Sequence, residues 1–390
     1  MPTDALEYSS TMFEVPALKD PHRSGLFSLV LRHAPISRGD LARLASLDQS
    51  TVTRTLRPLV DNGYLRETPT APSGRGRPQR VIEVVPERHC AVGIKIGPRL
   101  ITGVVTDLGA NVIARAEESE TSLEPHKVLA ATSDLAARLL DAVPGSRERT
   151  LGVGIGVGGI VDPTTGVCRF SPVLGWHEVE VAGPLAEKVG LPVTVHNDVN
   201  ALAIAEQLFG DGRSARNFAV ATIGPGIGLG LVVEGVPYGG TRGLAGELGH
   251  IPLVADGPAC RCGRRGCLEA LAGDAAIAAA AGVDDVDAAL EAARTGHGAR
   301  AERARRAFAA AGAWIGRGLA IIANLTAPEL IVLTGEGAAA YDLLGESLVA
   351  AFEEHAFGGR EFVPRLKVNP SDADIWARGA ACLAIQQALG

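Results

Sequence analysis

Apolar positions near the N-terminus recur at helical spacing and then give way to strand-like runs. From Ser24 to Ala34, Leu26, Leu29, Val30 and His33 fall on one helix face, and Pro35 ends the helix. Ser37-Arg38-Gly39-Asp40 reads as the next helix start, with Ser37 as N-cap and Asp40 where a capping box usually carries Glu or Gln. That helix continues through Leu41, Leu44 and Ala45. After the turn Ser46-Leu47-Asp48, with Asp48 as a second N-cap, Val52, Leu56, Leu59 and Val60 mark the inner face of a third helix. Gly63 closes it as a left-handed cap. Its outer face carries Gln49, Ser50, Thr51, Thr53, Arg54 and Arg57. Tyr64–Glu67 and Arg80–Val85 then read as the strands of a hairpin whose loop holds Gly74-Arg75-Gly76-Arg77-Pro78.

Pro86 marks a boundary between a first domain, residues 1–86, and a body, residues 87–390. In the body the pattern becomes apolar strands punctuated by glycine: Ala91–Ile96, Leu100–Val105 and Leu151–Val157, with a helix around Val128 to Leu140 before the last. Pro192–Val195 leads into His196-Asn197-Asp198, after which Val199 to Phe209 returns to helical spacing. Phe218–Ile223, Leu229–Glu234 and Leu330–Leu333 add strands. Strands alternating with helices predict α/β layers.

Composition narrows this picture. A chain of 390 residues is long for one domain, and with 46% apolar but only 4% aromatic residues its cores must be filled by Ala, Val, Leu and Ile. No charge-free apolar run is long enough to span a bilayer and the N-terminus lacks a leader pattern, so no membrane partner and a cytoplasmic location are expected. The net charge of −7 hides an asymmetry. His22 to Arg80 holds ten Arg against Asp40, Asp48, Asp61 and Glu67, or +6, while the remainder carries 27 basic and 40 acidic residues, or −13. A basic block on an acidic body directs that block at a polyanion. Three helices and a hairpin are the layout of a winged helix-turn-helix, whose second turn helix enters the major groove of operator DNA. Gln49, Ser50, Thr51, Thr53, Arg54 and Arg57 would then meet phosphates or base edges, and Arg75 and Arg77 the minor groove.

The densest chemistry lies in Gly246-Glu247-Leu248-Gly249-His250, followed by Cys260-Arg261-Cys262-Gly263-Arg264-Arg265-Gly266-Cys267-Leu268-Glu269. His250, Cys260, Cys262 and Cys267 can close a tetrahedral Zn²⁺ site with no open position for water, so the metal is expected to be structural and to fix Glu247, His250 and Glu269. Cys90, Cys168 and Cys382 stand singly in apolar stretches and read as small core residues. Neither Cys168 nor His196 is assigned to the metal.

The Cys-rich segment, with Gly158-Gly159-Ile160-Val161-Asp162-Pro163, Asn197-Asp198-Val199-Asn200-Ala201, Gly224-Pro225-Gly226-Ile227-Gly228 and Glu247-Leu248-Gly249-His250, resembles the ROK family of repressors, open reading frames and sugar kinases. The likeness runs from about residue 90 to the end, and the N-terminal block resembles the repressor branch. It implies an actin-like, ribonuclease-H-like ATPase-type body of two lobes: about 87–205 with the C-terminal helix, and about 206–374. It implies that Asn197, Asp198, Glu247, His250 and Glu269 bind sugar hydroxyls, with Gly159 letting the backbone approach the ring. His250 would give one ring nitrogen to Zn²⁺ and the other to a hydroxyl. In the family's kinases the Asp matching Asp198 is the general base.

The phosphate loops depart from the kinase pattern. Where those kinases carry Asp-x-Gly-Gly-Thr-Lys, this chain has Lys95-Ile96-Gly97-Pro98-Arg99-Leu100: a metal-holding Asp has become Lys95, and Pro98 removes a backbone donor. Pro225 stands where Thr is usual, and the adenosine-side loop Thr334-Gly335-Glu336-Gly337 presents an acid. The resemblance therefore implies a sugar-responsive repressor that has lost kinase activity and binds its operator as a homo-oligomer, dimer or tetramer. The alternative is a sugar kinase with a DNA-binding appendage and Asp198 as its base.

Overall fold

The computed structural model describes residues 18, 20–69, 80–119 and 122–389; Arg75 and Arg77 lie outside them. Along the chain run α1 (Pro21–His33), β1 (Ile36–Ser37), α2 (Arg38–Ala45), α3 (Gln49–Asp61), β2 (Leu65–Pro69) and β3 (Arg80–Val84). Next come β4 (Cys90–Ile96), β5 (Leu100–Asp107), β6 (Val112–Ser119), α4 (Pro125–Ala142), α5 (Ser146–Arg149), β7 (Thr150–Val157) and β8 (Ile160–Asp162). Then follow β9 (Val167–Ser171), β10 (Trp176–Glu180), α6 (Ala182–Val189), β11 (Val193–Asn197) and α7 (Asp198–Leu208). The remainder is β12 (Phe218–Thr222), β13 (Gly228–Val233), β14 (Val236–Pro237), α8 (Leu268–Ala272), α9 (Asp274–Ala281), α10 (Val286–Thr295) and α11 (Gly298–Thr326). It closes with β15 (Leu330–Thr334), α12 (Tyr341–His355), β16 (Arg365–Val368) and α13 (Ile375–Leu389). The fold is α/β and forms two compact units, one ending at Phe209 and taking in the chain from Trp376, the other Gly210–Ile375.

In the first unit, α1–α3 accompany a three-stranded antiparallel sheet ordered β1-β3-β2, whose first strand lies between α1 and α2. Ser37 caps α2 as expected, its Oγ accepting from the Asp40 N–H at 3.1 Å and donating to Asp40 Oδ2 at 2.6 Å. Asp48 holds the N-cap position of α3 without a side-chain bond, so backbone geometry alone starts that helix. Val52, Leu56 and Leu59 are buried, whereas Val60, expected inside, is half-buried because it lies at the edge of that face. Gly63 follows the helix with φ 71°, the left-handed turn glycine accepts without strain.

The five-stranded sheet β11-β7-β4-β5-β6 is antiparallel through β4, β5 and β6 and parallel through β4, β7 and β11. α13 lies directly on its central strands: a Cβ on Gly93 would stand 2.0 Å from the Ala377 carbonyl oxygen, and one on Gly154 1.7 Å from that of Ala380. Those glycines permit the contact, since any side chain would push the helix off the sheet. One hydrophobic cluster joins α1–α3 and the small sheet (Leu26, Phe27, Leu41, Leu56, Ile82) to α7 and α13 (Ile204, Leu208, Leu383, Ile385), and α1 packs on α7.

The second unit repeats this topology. Its sheet, β14-β13-β12-β15-β16, is antiparallel through β12, β13 and β14 and parallel through β12, β15 and β16. β12 and β15 are buried at every position, which fits central strands covered on both faces. α11 is long and apolar enough to cross a membrane by length and composition, and half of that window is buried against neighbours that include α8, α9, α10 and α12.

Candidate functional sites

In the second unit an antiparallel return of the chain builds the His/Cys cluster. Pro252 bridges to Cys267 and Ala259 to Arg265, and the Leu268 N–H donates to the Ile251 carbonyl at 3.0 Å, so His250 comes to lie beside Cys267. A turn closed from the Gly263 N–H to the Cys260 carbonyl at 3.0 Å turns Cys260 and Cys262 inward. The ligand atoms of His250, Cys260, Cys262 and Cys267 all lie within 4.8 Å of one another. His250 Nδ1 is 3.6 Å from Cys260 Sγ, and Cys262 Sγ is 3.7 Å from Cys267 Sγ. A tetrahedron with metal–sulfur bonds of about 2.3 Å and metal–nitrogen bonds of about 2.0 Å has edges of about 3.5–3.8 Å, and these two separations match it, so the donor set fits such a cation. Burial, then the crowding of Cys262 and Cys260, pushes the Cys267 thiol up to about 12. Three sulfurs this close ionise together only against a cation.

The carboxylates beside the cluster differ. Glu269 opens α8 and is 9% exposed, gripped by Arg261 through Nε at 2.8 Å and Nη2 at 3.0 Å, while the Ile227 N–H donates to it at 3.2 Å. Arg261, between two of the cysteines, was not singled out from sequence; its place inside the motif was the available signal. Glu247 is more exposed, and its Oε2 stands 4.0 Å from His250 Nε2, the ring nitrogen turned away from the sulfurs.

In the first unit β11 delivers Asn197 and Asp198 to the head of α7. Asn197, not Asp198, is the N-cap: its Oδ1 accepts from the Val199 N–H at 2.9 Å and the Asn200 N–H at 3.1 Å. Asp198 adds only a secondary bond, the Val199 N–H donating to its Oδ1 at 2.9 Å. Asn197 Nδ2 donates to the Gly159 carbonyl at 2.9 Å, which ties the two expected sugar residues together. Gly159 has φ 127°, and a Cβ there would stand 2.3 Å from the Phe170 carbonyl, so only glycine fits. Burial pushes the His196 imidazole down to about 4, which keeps it neutral near pH 7.

Lys95, read from sequence as a broken metal position, reaches further than that: its ammonium contacts Asp198 Oδ2 directly and lies over the Trp376 ring. The turn after it closes on itself, the Gly97 N–H donating to the Leu100 carbonyl at 3.1 Å. Both arrangements oppose the phosphate chemistry of a kinase, which needs free backbone donors and a carboxylate able to take a proton.

The other two loops of interest meet around a cavity of about 300 Å³ in the second unit, lined by Gly224, Pro225, Asp274, Asp287, Phe308 and Glu336 among others. Burial first, then Glu336 and Asp287, push the Asp274 carboxyl up to about 6. Three acids around one cavity repel a polyphosphate.

On α3, Gln49, Ser50, Thr53, Arg54 and Arg57 are exposed and line one shallow surface, while Thr51 is half-buried and faces a separate hollow with Ala42, Arg43, Ser46 and Leu47. Arg57 pairs with Asp61 at 3.6 Å.

The ROK family profile matches residues 91–387. The xylose repressor of Bacillus spizizenii is 29% identical over 260 residues, 67% of each chain. A crystal structure described as a ROK family transcriptional regulator, homologous to the E. coli MLC protein, aligns with a TM-score of 0.77 and 25% identity over 96% of this chain and 97% of its own. A ROK glucokinase of Streptomyces griseus, in complex with glucose and AMPPNP, aligns with a TM-score of 0.66 and 27% identity over 76% of this chain and 99% of its own.

Proposed function

The chain belongs to the ROK family, and from that premise we propose that it is a sugar-responsive transcriptional repressor without kinase activity. The observation that carries this reading is the N-terminal part of the first unit. There α1–α3 and the sheet β1-β3-β2 match the order of a winged helix-turn-helix, and α3 turns Gln49, Ser50, Thr53, Arg54 and Arg57 outward. A likeness spanning 96% of the chain links it to a regulator, whereas the glucokinase likeness covers 76%. The domain division at residue 86, the minor-groove role of Arg75 and Arg77 and a homo-oligomer on a repeated operator belong to the same proposal.

In this reading the His/Cys cluster holds Zn²⁺, which supplies rigidity to the segment carrying Glu247, His250 and Glu269. Within the first unit, Gly159, Asn197 and Asp198 are proposed to meet sugar hydroxyls; within the second, the same role is proposed for Glu247, His250 and Glu269, each set taken by itself. Asn197 keeps one amide hydrogen for this after its cap and its bond to Gly159. A response to sugar needs a path to the DNA-binding helices, and α7 supports one: Asp198 stands at its head, and Ile204 and Leu208 share a core with α1. A sugar that prefers one position of α7 thereby favours one state of the DNA-binding end.

Sugar-dependent ADP release tests the reading against the kinase alternative. With glucose, xylose or N-acetylglucosamine, Mg²⁺ and ATP, none is expected above background. Release that requires sugar and vanishes in Asp198→Ala would establish the kinase instead.

A further inference from the structure

Lys95 is the one charged residue of β4, whose other six residues are apolar or glycine. Its ammonium meets Asp198 Oδ2 and lies 5.3 Å from the centre of the Trp376 ring. Lys95 and Asp198 are largely withdrawn from solvent, with side chains 18% and 13% exposed. Desolvating such a pair offsets much of its attraction, and apolar residues of similar volume are often as stable in its place. Stability alone is therefore a weak reason for a lysine here.

The surroundings give a better one. Gly158 runs alongside the pair: a Cβ there would stand 3.4 Å from Asp198 Oδ2 and 3.9 Å from Lys95 Nζ. With only hydrogen at that position, no side chain from Gly158 covers the couple. An ammonium has three N–H donors, and among the described residues Asp198 is the acceptor that Lys95 meets. Asp198 Oδ1 takes the Val199 N–H, and each carboxylate oxygen retains a lone pair. Donor and acceptor thus stand side by side, which is the complement of a hydroxyl that both accepts and donates.

Resting on the sugar-responsive reading, we propose that Lys95 binds the effector directly: its ammonium donates to a sugar hydroxyl that Asp198 accepts from, and the couple selects a neutral sugar over its phosphorylated form. The positive charge is already met by Asp198, so a phosphate placed here sets its charge against that carboxylate with no unpaired cation to receive it.

Isothermal titration of the whole chain with xylose, glucose, N-acetylglucosamine and the 6-phosphates of the last two tests this, in wild type, Lys95→Met and Lys95→Arg. At least one neutral sugar binds wild type more tightly than any phosphate. Lys95→Met weakens that sugar by about ten- to a hundredfold, the range for losing a charge-assisted hydrogen bond. Lys95→Arg recovers part of the loss. Thermal unfolding shows whether Lys95→Met is folded; if it is not, Lys95→Gln is read in the same way. A merely structural lysine shifts the unfolding temperature and leaves sugar affinity within twofold. That result, or tighter binding of a phosphate than of any neutral sugar, overturns the proposal while leaving sugar response standing. Failure of every neutral and phosphorylated sugar to bind wild type removes the underlying reading as well.

Discussion

Asp274 holds its proton further toward neutrality than an ordinary carboxyl, because it is half-buried and shares one cavity with Glu336 and Asp287. A carboxyl whose folded pKa is raised costs stability once it ionises: the cost is absent below about pH 4, grows as pH rises to about 6, and is constant above. Asp274→Asn is therefore expected to stabilise the protein at pH 7.5 by about 1–2 kcal/mol, after allowance for solvent screening, with the gain fading as pH falls from 6 to 4. Unfolding temperatures of both proteins from pH 4 to 7.5 check this, and an equal difference at every pH contradicts it. At this scale the sequence pointed to candidate residues but not to what each touches. Asn197 and Asp198 were legible as a pair, yet which of them caps α7 depends on backbone angles at the β11–α7 junction. Arg261 on Glu269 and Lys95 on Asp198 join residues 8 and 103 positions apart, and no spacing rule links either pair.

Elements read well where one face is plainly apolar and poorly where it is not. α2, α3, β4, β7, β12 and β15 appear where the pattern put them. β6 was missed: its half-buried positions are Val112, Ala114, Ala116 and Glu118 while Ile113 is exposed, so an edge strand carries no apolar alternation. The two-residue strand β1 is defined by a partner distant in sequence, Ile36 opposite Ile82, whereas β8–β10 pair locally with one another and are only three to five residues long, too short for alternation to stand out. The His/Cys element was the most legible of all, since its four ligands lie within one motif and converge as the spacing suggested. If it holds Zn²⁺, elemental analysis finds about one zinc per chain. Stripping the metal, or Cys262→Ser, then lowers the unfolding temperature by about 5–10 °C, corresponding to roughly 3 kcal/mol. Full retention of stability in metal-free protein would show that the thiols alone hold the segment.

At the scale of the whole molecule, the two sheets repeat one topology, a duplication that the glycine-punctuated strands did not reveal because the repeats share a pattern of pairing and not of residues. The basic block, by contrast, was legible from charge alone, and α3 bears its polar and arginine side chains outward as that reading requires. The central claim is that one chain joins sugar recognition to DNA recognition, through a body whose phosphate loops no longer serve a nucleotide. Its most direct test is the affinity for a duplex selected from a random library, measured at fixed salt with and without xylose, glucose or N-acetylglucosamine, with Arg54→Ala as the DNA-contact control. At least one sugar is expected to change the wild-type dissociation constant by about 5–150-fold, the usual range of coupling between two sites. DNA binding that is lost in Arg54→Ala yet unmoved by any sugar would contradict the account.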